Sequence, residues 1–402
     1  MINQPKIWQR KMVRNSMAQY RQALENYYIK GKQVIQTSDG QTAFSLLSPP
    51  IASAVAKRRI RLIMANLIAQ SAQDGTKDIP GGSRTPHFVT MAVTYDCQCG
   101  CSHCSATSYK NKTENAKEAL NLTELKNAVS QVTKLGATCI VFTGGEPLLY
   151  DGIYDLIASV DKQKAICTIF TNGEYLDQQV VRRLKKSGLY GVFVSFDECD
   201  PAGHDFNRKR KGIFDKAVEG IRLCQQEGIL TGISTYVTKE KIQNGKLDAM
   251  MELGKKLNVL EVFIFDVIPT GRLEAKYDLL LNAGDFDQIK EFRAKYNTRN
   301  DYPRIIHQTM LTSIAYPCTG EGCPAGIAHL HLRANGDVSP CDFAPLSFGN
   351  LRSDSLEKVW NKMTSSQIYS KPSPCCRLSD RNFWDKIDLA AAQDKIEVVE
   401  NE

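Results

Sequence analysis

The sequence predicts an α/β fold, a partial (β/α)6 barrel with a mainly helical N-terminal extension and a small C-terminal domain. The barrel is predicted because six short β-rich runs alternate with helical stretches between residues 88 and 297. Such a serial alternation implies a parallel sheet with right-handed crossovers. The alternation stops after about residue 300, where a cysteine-containing tail begins. We therefore expect three domains, at 1–85, 86–300 and 301–402.

Composition limits the class of protein. Hydrophobic residues make up 42% of the 402 residues and charged residues 24%, as in globular proteins. No run approaches the roughly 18 apolar residues of a membrane span, and the N-terminus has no apolar stretch of the secretory kind. We expect a cytoplasmic protein, in which thirteen cysteines indicate metal binding or redox chemistry more than a disulfide framework.

The N-terminal extension carries the net positive charge. Residues 1–85 hold 13 Lys and Arg against 4 Asp and Glu, whereas the whole chain holds 51 against 44. Apolar periodicity predicts helices over 6–29 and after Pro50, with a hairpin at 33–46 between them and a linker at 74–86. The second helix carries a basic cluster of Lys57, Arg58, Arg59 and Arg61. Such a helix either docks on the protein or lies on an anionic membrane surface.

The barrel is predicted element by element. Its β-rich runs are 88–95, 138–142, 165–171, 190–196, 230–237 and 259–266. Its helical segments lie near 122–135, 152–162, 176–187, 212–227, 244–256 and 284–297. In parallel α/β folds, active sites form at the carboxyl ends of the strands, so we sought functional residues there.

A cysteine loop, DCQCGCSHC, follows the first barrel strand. Its residues Cys97, Cys101 and Cys104 have the spacing C-x3-C-x2-C. Three thiolates on one loop can each bind one iron of a cubane cluster, which leaves a fourth iron open to a small molecule. Cys99 is a rival ligand. Zinc is the alternative metal, but no second C-x2-C pair occurs to complete such a site.

The second barrel strand ends in Thr143-Gly144-Gly145-Glu146-Pro147. Adjacent glycines allow a ligand to approach the backbone, whose N–H and C=O groups can bind a carboxylate or an ammonium. The stretch lies about forty residues after the cysteine loop, at the end of the next strand. We therefore expect both motifs on one face of the barrel.

Together these motifs resemble the radical S-adenosylmethionine (SAM) enzymes, whose hallmark is C-x3-C-x2-C after the first strand of a partial barrel. The resemblance covers about 88–275, although His103 stands where the family commonly has an aromatic residue. It implies a [4Fe–4S] cluster with an open iron on Cys97, Cys101 and Cys104. It also implies that Gly144, Gly145, Glu146 and Pro147 hold the methionine amino group of SAM.

Later strand ends extend the resemblance. Ser195-Phe196-Asp197, followed by His204-Asp205 and Arg208, is similar to the family's S-x-D…H-D-x-x-R stretch. With Thr171 and Asn172 at the end of the third strand and Thr235 in the fifth, the resemblance implies that SAM is bound by Thr171, Asn172, Ser195, Arg208 and Thr235. Ser195 and Arg208 are expected near the ribose or the carboxylate. The alternative is an ordinary strand serine, turn asparagine and surface arginine.

The tail carries five further cysteines. The stretch from Cys323 ends in GDVSPC, and a Gly336-Asp337 turn would fold a hairpin that brings Cys323 and Cys341 together. This resembles the SPASM/twitch domains of many radical SAM enzymes and implies an auxiliary iron–sulfur cluster, expected to be [4Fe–4S]. Its implied ligands are Cys318, Cys323, Cys341 and one of Cys375 and Cys376. We expect one auxiliary cluster because the later cysteine run of the full SPASM pattern is absent; zinc or free thiols are the alternative.

Asp342 directly follows Cys341. In related sulfatase-maturing enzymes an aspartate at this place acts as a base, which makes Asp342 a candidate acid–base residue. Capping of the hairpin is the alternative.

The resemblance implies that SAM is reductively cleaved to a 5′-deoxyadenosyl radical, which abstracts a hydrogen atom from the substrate. An auxiliary cluster favours oxidation, crosslinking or epimerisation, and most SPASM/twitch enzymes modify peptides, so a peptide is the expected substrate. The alternative substrate is an anionic small molecule, a sugar or a lipid. The non-enzyme alternative is an iron–sulfur-stabilised binding protein, which the intact GGEP and the open cysteine loop disfavour.

Two further partners are expected. Radical SAM chemistry implies a one-electron reductant of the flavodoxin or ferredoxin type, and the basic extension would allow peripheral contact with a membrane surface. After residue 85 the chain holds 38 Lys and Arg against 40 Asp and Glu, which disfavours a nucleic-acid backbone as partner.

Overall fold

A parallel sheet forms the centre of the molecule. The computed structural model describes residues 34–37, 40–71, 84–107, 119–315 and 321–385. A short hairpin pairs β1 (Ile35–Gln36) with β2 (Thr42–Ala43). The strands of the main sheet are β3 (Phe88–Thr94), β4 (Cys139–Gly144), β5 (Ile166–Thr171), β6 (Gly191–Ser195), β7 (Leu230–Val237), β8 (Glu261–Asp266), β9 (Arg304–His307), β10 (His329–Leu332) and β11 (Val338–Ser339).

The sheet is open in this part of the chain, with the order β11-β10-β3-β4-β5-β6-β7-β8-β9. Strands β3 to β8 follow the six predicted runs, and every neighbouring pair from β10 to β9 is parallel. Within this sheet β11 pairs antiparallel with β10, as the return strand of the predicted C-terminal hairpin. The predicted α/β class is confirmed, and the sheet continues past residue 300 through β9 and β10.

Eleven helices are described, most of them on the outside of the sheet, while the helix Met310–Ala315 faces the interior of the barrel. They are α1 (Ala54–Ser71), α2 (Leu122–Leu135), α3 (Ile153–Ser159), α4 (Gln178–Lys186), α5 (Pro201–Arg208), α6 (Ile213–Gln226), α7 (Lys239–Gln243), α8 (Lys246–Lys256), α9 (Ala283–Asn297), α10 (Met310–Ala315) and α11 (Leu356–Ser365). Local sequence explains their limits: α2 begins with a capping box of Asn121 and Glu124 and ends at Gly136, whose φ is +122°. Among the described residues, no helix is both long and apolar enough to cross a membrane.

Two hydrophobic clusters lie on the two faces of the sheet. The outer cluster joins the strands to the helices. The inner cluster brings Phe88 of β3 together with Ile306 of β9, six strands along the sheet, because the sheet curls into a partial barrel. The inward-facing residues alternate with outward-facing ones along each strand, as strand geometry requires.

A short N-terminal segment, Ala43–Ser48, fills the barrel end at which the parallel strands begin. We call these residues the floor segment. Its Leu46 N–H donates to Glu261 Oε1 at 2.8 Å, and Arg304 donates to the Phe44 carbonyl. Glu261 and Arg304 are themselves buried. Two buried charged groups therefore hold this segment in the barrel.

The N-terminal predictions have mixed outcomes. The predicted hairpin is present as β1 and β2, and the predicted basic helix is present as α1. Arg59 is buried and donates to Thr138 and to the Leu47 carbonyl, while Arg58 donates to the carbonyls of Ala137 and Lys164. Helix α1 is thus docked on the barrel through half of its basic cluster. The predicted helix at 6–29 and most of the linker at 74–86 lie outside the described residues.

The C-terminal part is attached through backbone and side-chain contacts. Strand β10 pairs with β3 over four residues, and Leu356 N–H at the start of α11 donates to Gln131 of α2 at 2.8 Å. The Trp360 indole N–H donates to the Arg84 carbonyl at 3.1 Å. The helix predicted near 355–365 is confirmed.

We predict that Glu261 makes the stability of the protein depend on pH. Burial raises its pKa from 4.5 to about 7, although Arg304 opposes this effect. The native state therefore keeps a proton that the unfolded chain releases, and the free energy of unfolding falls as pH rises from about 4.5 to about 7. A pKa that differs by one between the folded and unfolded states changes this free energy by about 1.4 kcal/mol. Glu261→Gln should flatten this decline in the thermal-unfolding midpoint, whereas parallel curves for variant and wild type would contradict the prediction.

Candidate active site

The cysteine loop lies against the end of β4, backbone to backbone. Gly145 N–H donates to the Thr94 carbonyl at 2.8 Å, and Glu146 N–H donates to the Asp96 carbonyl at 2.7 Å. A Cβ at Gly144 or Gly145 would overlap those carbonyls, and Gly144 also has a φ of +138°. The glycines are therefore needed to bring the two motifs together. Because these N–H groups bind the loop, backbone carbonyls remain for an ammonium ligand.

The Glu146 side chain points into the protein. Its Oε1 accepts from Thr171 Oγ1 at 2.7 Å and from Leu148 N–H, and its Oε2 accepts from Asn172 N–H at 2.8 Å. Complete burial raises the pKa of Glu146 to about 7. This carboxyl group joins the ends of β4 and β5, and it positions Asn172 instead of lining the cavity.

Asn172 connects this junction to the first cysteine. Its Nδ2 lies 4.0 Å from Cys97 Sγ, and its Oδ1 accepts from Gln98 Nε2 at 3.2 Å. Gln98 also donates to the Glu174 carboxylate at 2.8 Å, and Glu174 forms an ion pair with Arg210. Side chains from the loop after β5 therefore hold the first half of the cysteine loop.

A buried carboxylate, Asp197, holds the second half. Its Oδ1 accepts from Arg208 Nη2 at 2.8 Å and lies 3.4 Å from His103 Nε2. Burial alone would raise its pKa, but the Arg208 guanidinium and His103 lower it below the ordinary value. The Arg208 carbonyl accepts from Gly100 N–H at 2.9 Å. The buried ion pair thus lies directly beside the cysteine loop.

One cavity of about 290 Å³ connects these residues. The predicted site residues that line it are Cys97, Cys101, Cys104, Gly144, Gly145, Thr171, Asn172, Ser195, Arg208, Thr235 and Asp342. Glu146, Pro147 and the auxiliary cysteines do not line it. The structure therefore brings together eleven residues that the sequence distributes over about 250 positions.

The cavity wall fits a polar ligand beside three thiols. Thr235 Oγ1, Arg208 Nε and Asp197 Oδ2 are buried atoms with no hydrogen-bond partner among the described residues. Such groups are normally satisfied, so their presence around a cavity indicates a polar ligand there. Within the same described residues, no three His, Cys, Asp or Glu side chains lie close enough together to bind one metal ion. A cubane cluster does not need such a group, because each of its thiolates binds a different iron.

Asp342 lines the same cavity and lies within a compact polar cluster. Its Oδ2 accepts from Thr90 Oγ1 at 3.0 Å and lies 3.3 Å from His329 Nε2, and its Oδ1 lies 3.3 Å from His331 Nδ1. Burial raises the pKa of Asp342, but the two histidines outweigh it and hold this pKa well below the ordinary value. Asp342 is thus an anchored carboxylate that faces the cavity.

The auxiliary cysteines are partly assembled. Cys376 is buried and donates to Cys323, which lowers the pKa of the Cys323 thiol to about 6. Burial, with Cys323 and Asp342 nearby, raises the pKa of Cys341. Cys375 is exposed. Cys318 lies outside the described residues, so three of the expected ligands are observed to be neighbours.

The sequence profiles of two protein families match the barrel and the C-terminal region of this chain. The sequence profile of the radical SAM superfamily matches residues 91–253, and that of the SPASM iron–sulfur cluster-binding domain matches residues 323–386. The chain belongs to the radical SAM superfamily. As a radical SAM enzyme it uses SAM and a [4Fe–4S] cluster, and its SPASM domain binds auxiliary iron–sulfur.

Three known proteins illustrate what this chain is similar to. The AdoMet-dependent heme synthase of Nitratidesulfovibrio vulgaris is 25% identical over 76% of this chain and 89% of its own length. The PqqA peptide cyclase of Granulibacter bethesdensis is 24% identical over 75% of this chain and 81% of its own length. The structure of Streptococcus suis SuiB bound to its precursor peptide SuiA has a TM-score of 0.58 at 16% identity, covering 78% of this chain and 70% of SuiB. The last similarity concerns the fold alone.

Sequence reasoning missed the partners of Asp342. Thr90, His329 and His331 were not among the predicted site residues of this radical SAM enzyme. The alternation His-x-His at 329–331 was a usable signal, because residues two apart on a strand share a face. Their contact with Thr90 depends on the pairing of β10 with β3, which lies about 240 residues away in sequence.

We predict that Cys376, and not Cys375, binds the auxiliary cluster, because only Cys376 is buried beside Cys323. After anaerobic reconstitution, Cys376→Ser should lose about one cluster's iron and its electron paramagnetic resonance signal. Cys375→Ser is the matched control and should keep both. Equal iron in the two variants, or a loss only in Cys375→Ser, would contradict the assignment.

Proposed function

We propose that this radical SAM enzyme oxidises a substrate of the tetrapyrrole class inside the barrel cavity. The observation that supports this most directly is that a single cavity is lined both by the cysteine loop and by Asp342. When bound, the SAM-side cluster and SAM supply a 5′-deoxyadenosyl radical, and the auxiliary cluster supplies an electron acceptor. Loss of one hydrogen atom, one proton and one electron from adjacent atoms of the substrate leaves a new double bond.

The residues of the chain have separate roles in this proposal. Ser195, Arg208 and Thr235 hold SAM through the polar groups that face the cavity. Cys97, Cys101 and Cys104 hold the cluster, while Glu146 and Asn172 position the loop that carries them. Asp342 is the proposed acceptor of the substrate proton, because its carboxylate lines the cavity and its low pKa keeps it ionised.

The apolar wall of the cavity supports a substrate with a large apolar surface. The ring centroids of Phe263 and Phe265 lie 4.5 Å apart, and those of Phe265 and Phe343 lie 6.0 Å apart. Phe170 stacks on Phe193 with a centroid distance of 4.6 Å. Aromatic side chains provide large contact areas for flat rings. The similarity to a heme synthase along 89% of that enzyme's length points to the same class.

A peptide is the second candidate substrate. It is the substrate expected from the SPASM resemblance, and the similarity to a PqqA peptide cyclase over 75% of this chain favours it. The two candidates differ in the first experiment, because a tetrapyrrole absorbs visible light and a peptide does not.

Contact with a membrane surface gains little support from α1. Arg58 and Arg59 donate their hydrogen bonds to the barrel, and Arg59 is 1% exposed. Lys57 and Arg61 remain on the outer side of this helix. The proposed electron donor is a flavodoxin or a ferredoxin, because radical SAM chemistry needs a one-electron reductant.

The first test measures 5′-deoxyadenosine from SAM under dithionite. Wild-type enzyme should form it and the Cys97/Cys101/Cys104→Ala variant should not, because the variant lacks the cluster ligands. Fe-coproporphyrin III and protoporphyrin IX are then added separately, and their absorption spectra and masses are followed. Accelerated 5′-deoxyadenosine formation with a porphyrin mass loss supports the tetrapyrrole class; acceleration by a precursor peptide alone would replace it with the peptide candidate.

A second prediction concerns Asp342. Once a substrate is found that the wild-type enzyme converts, Asp342→Asn should lower the ratio of product to 5′-deoxyadenosine by about 10²-fold. General-base catalysis contributes factors of that order. Formation of 5′-deoxyadenosine itself should persist, and iron content serves as the control for the auxiliary cluster. An unchanged ratio would remove Asp342 from the reaction.

A further inference from the structure

The cavity extends below the polar residues into the barrel. The side chains that line this deeper part are apolar and almost completely buried: Leu47, Phe88, Val141, Phe263 and Leu311. They come from the floor segment, three strands and helix α10. The cavity therefore has a polar side, at the cysteine loop and Asp342, and an apolar floor.

The floor is held rigidly by buried polar groups. Besides Leu46 N–H, Ser45 Oγ donates to Glu261 Oε1 at 3.2 Å, and the Leu47 carbonyl accepts from Arg59 Nη2 at 3.2 Å. The hydroxyl of Tyr190 donates within 3.2 Å of both the Ser45 and Ser48 carbonyls. Burying charged groups is costly unless they are paired or hydrogen-bonded, and here their bonds fix the backbone on both sides of Leu47. The backbone that carries Leu47 is therefore held in place at the floor of the cavity.

Neighbouring residues of the floor segment have different roles. The Leu46 side chain packs against Gly191, where a Cβ would lie 2.9 Å from Leu46 Cγ, and it does not line the cavity. Leu47, the next residue, does line the cavity. A change at Leu47 therefore alters the cavity, whereas a conservative change at Leu46 alters only the packing below it.

We infer that the barrel interior is an apolar subsite, which takes an uncharged hydrocarbon substituent of the substrate and ends at Leu47. The inference rests on the proposed function, since it concerns the substrate of the same site. Continuity with the polar residues supports it: a ligand that reaches Asp342 and the SAM-binding residues would meet, among the described residues of the deeper wall, only the five uncharged side chains named above. Burial of apolar surface there contributes about 25 cal/mol per Å². The subsite thus selects substrates by the length of an apolar group.

The test uses benzene, because apolar cavities lined by Leu, Val and Phe bind it without any catalytic step. Reconstituted enzyme is titrated with benzene anaerobically and the thermal-unfolding midpoint is recorded. Wild type should be stabilised by benzene. Leu47→Trp, which fills the floor, should weaken binding at least tenfold, and Leu47→Ala, which deepens it, should strengthen binding. Leu46→Met is the matched control of conserved volume and should bind as wild type does.

The outcomes are distinct from those of the functional test. Opposite effects of Leu47→Trp and Leu47→Ala, with no effect of Leu46→Met, support the subsite even if neither porphyrin is turned over. Absence of benzene binding to wild type would overturn it. So would equal binding by all three variants, because the ligand would then lie elsewhere. If Leu47→Trp does not fold, Leu47→Ala against Leu46→Met decides the question.

Discussion

The approach of two backbones, the cysteine loop and the Gly144-Gly145 turn, is the contact on which the active site depends. Two hydrogen bonds join the segments, and any side chain at either glycine would separate them. The glycines thus act first as a structural junction between β3 and β4. Their closeness brings the proposed cluster ligands and the proposed SAM contacts to one cavity, and the Glu146 carboxyl group then extends the junction to β5.

Buried charges hold the two ends of the barrel in different ways. At the carboxyl ends of the strands, Asp197 and Arg208 lie beside the cysteine loop and keep atoms free toward the cavity. At the other end, Glu261 and Arg304 bind the backbone of the floor segment. Removing one member of the Asp197–Arg208 pair is expected to cost about 3–5 kcal/mol, because the other charge is left without its partner. This pair serves ligand binding, whereas Glu261 and Arg304 give the cavity a rigid floor through separate hydrogen bonds to its backbone.

Much of the fold could be predicted because its signals are local. The six β/α units, the hairpin at Gly336-Asp337 and the helix at 355–365 each depend on periodicity or turn chemistry within a short stretch. The cysteine loop and the glycine turn could be placed together because parallel strands end at one face. The contacts that no local signal reveals join distant segments: Leu46 with Glu261, and Thr90 with His331. These depend on the curl of the sheet and on the pairing of β10 with β3, so the floor and the partners of Asp342 emerged only from the structure.

The pairing of β10 with β3 also joins the SPASM domain to the barrel through one sheet. Strand β3 leads into the cysteine loop, and β10 and its return strand lead to Cys341, so one parallel ladder spans both regions. Neighbouring strands lie about 4.8 Å apart, and slipping their register by one residue would move one strand by about 3.3 Å and turn its side chains to the opposite face. The spacing between the cysteine loop and Cys341 is therefore a property of strand register and not of a hinge. The thiolates that would hold the two clusters thus keep a constant spacing from one turnover to the next.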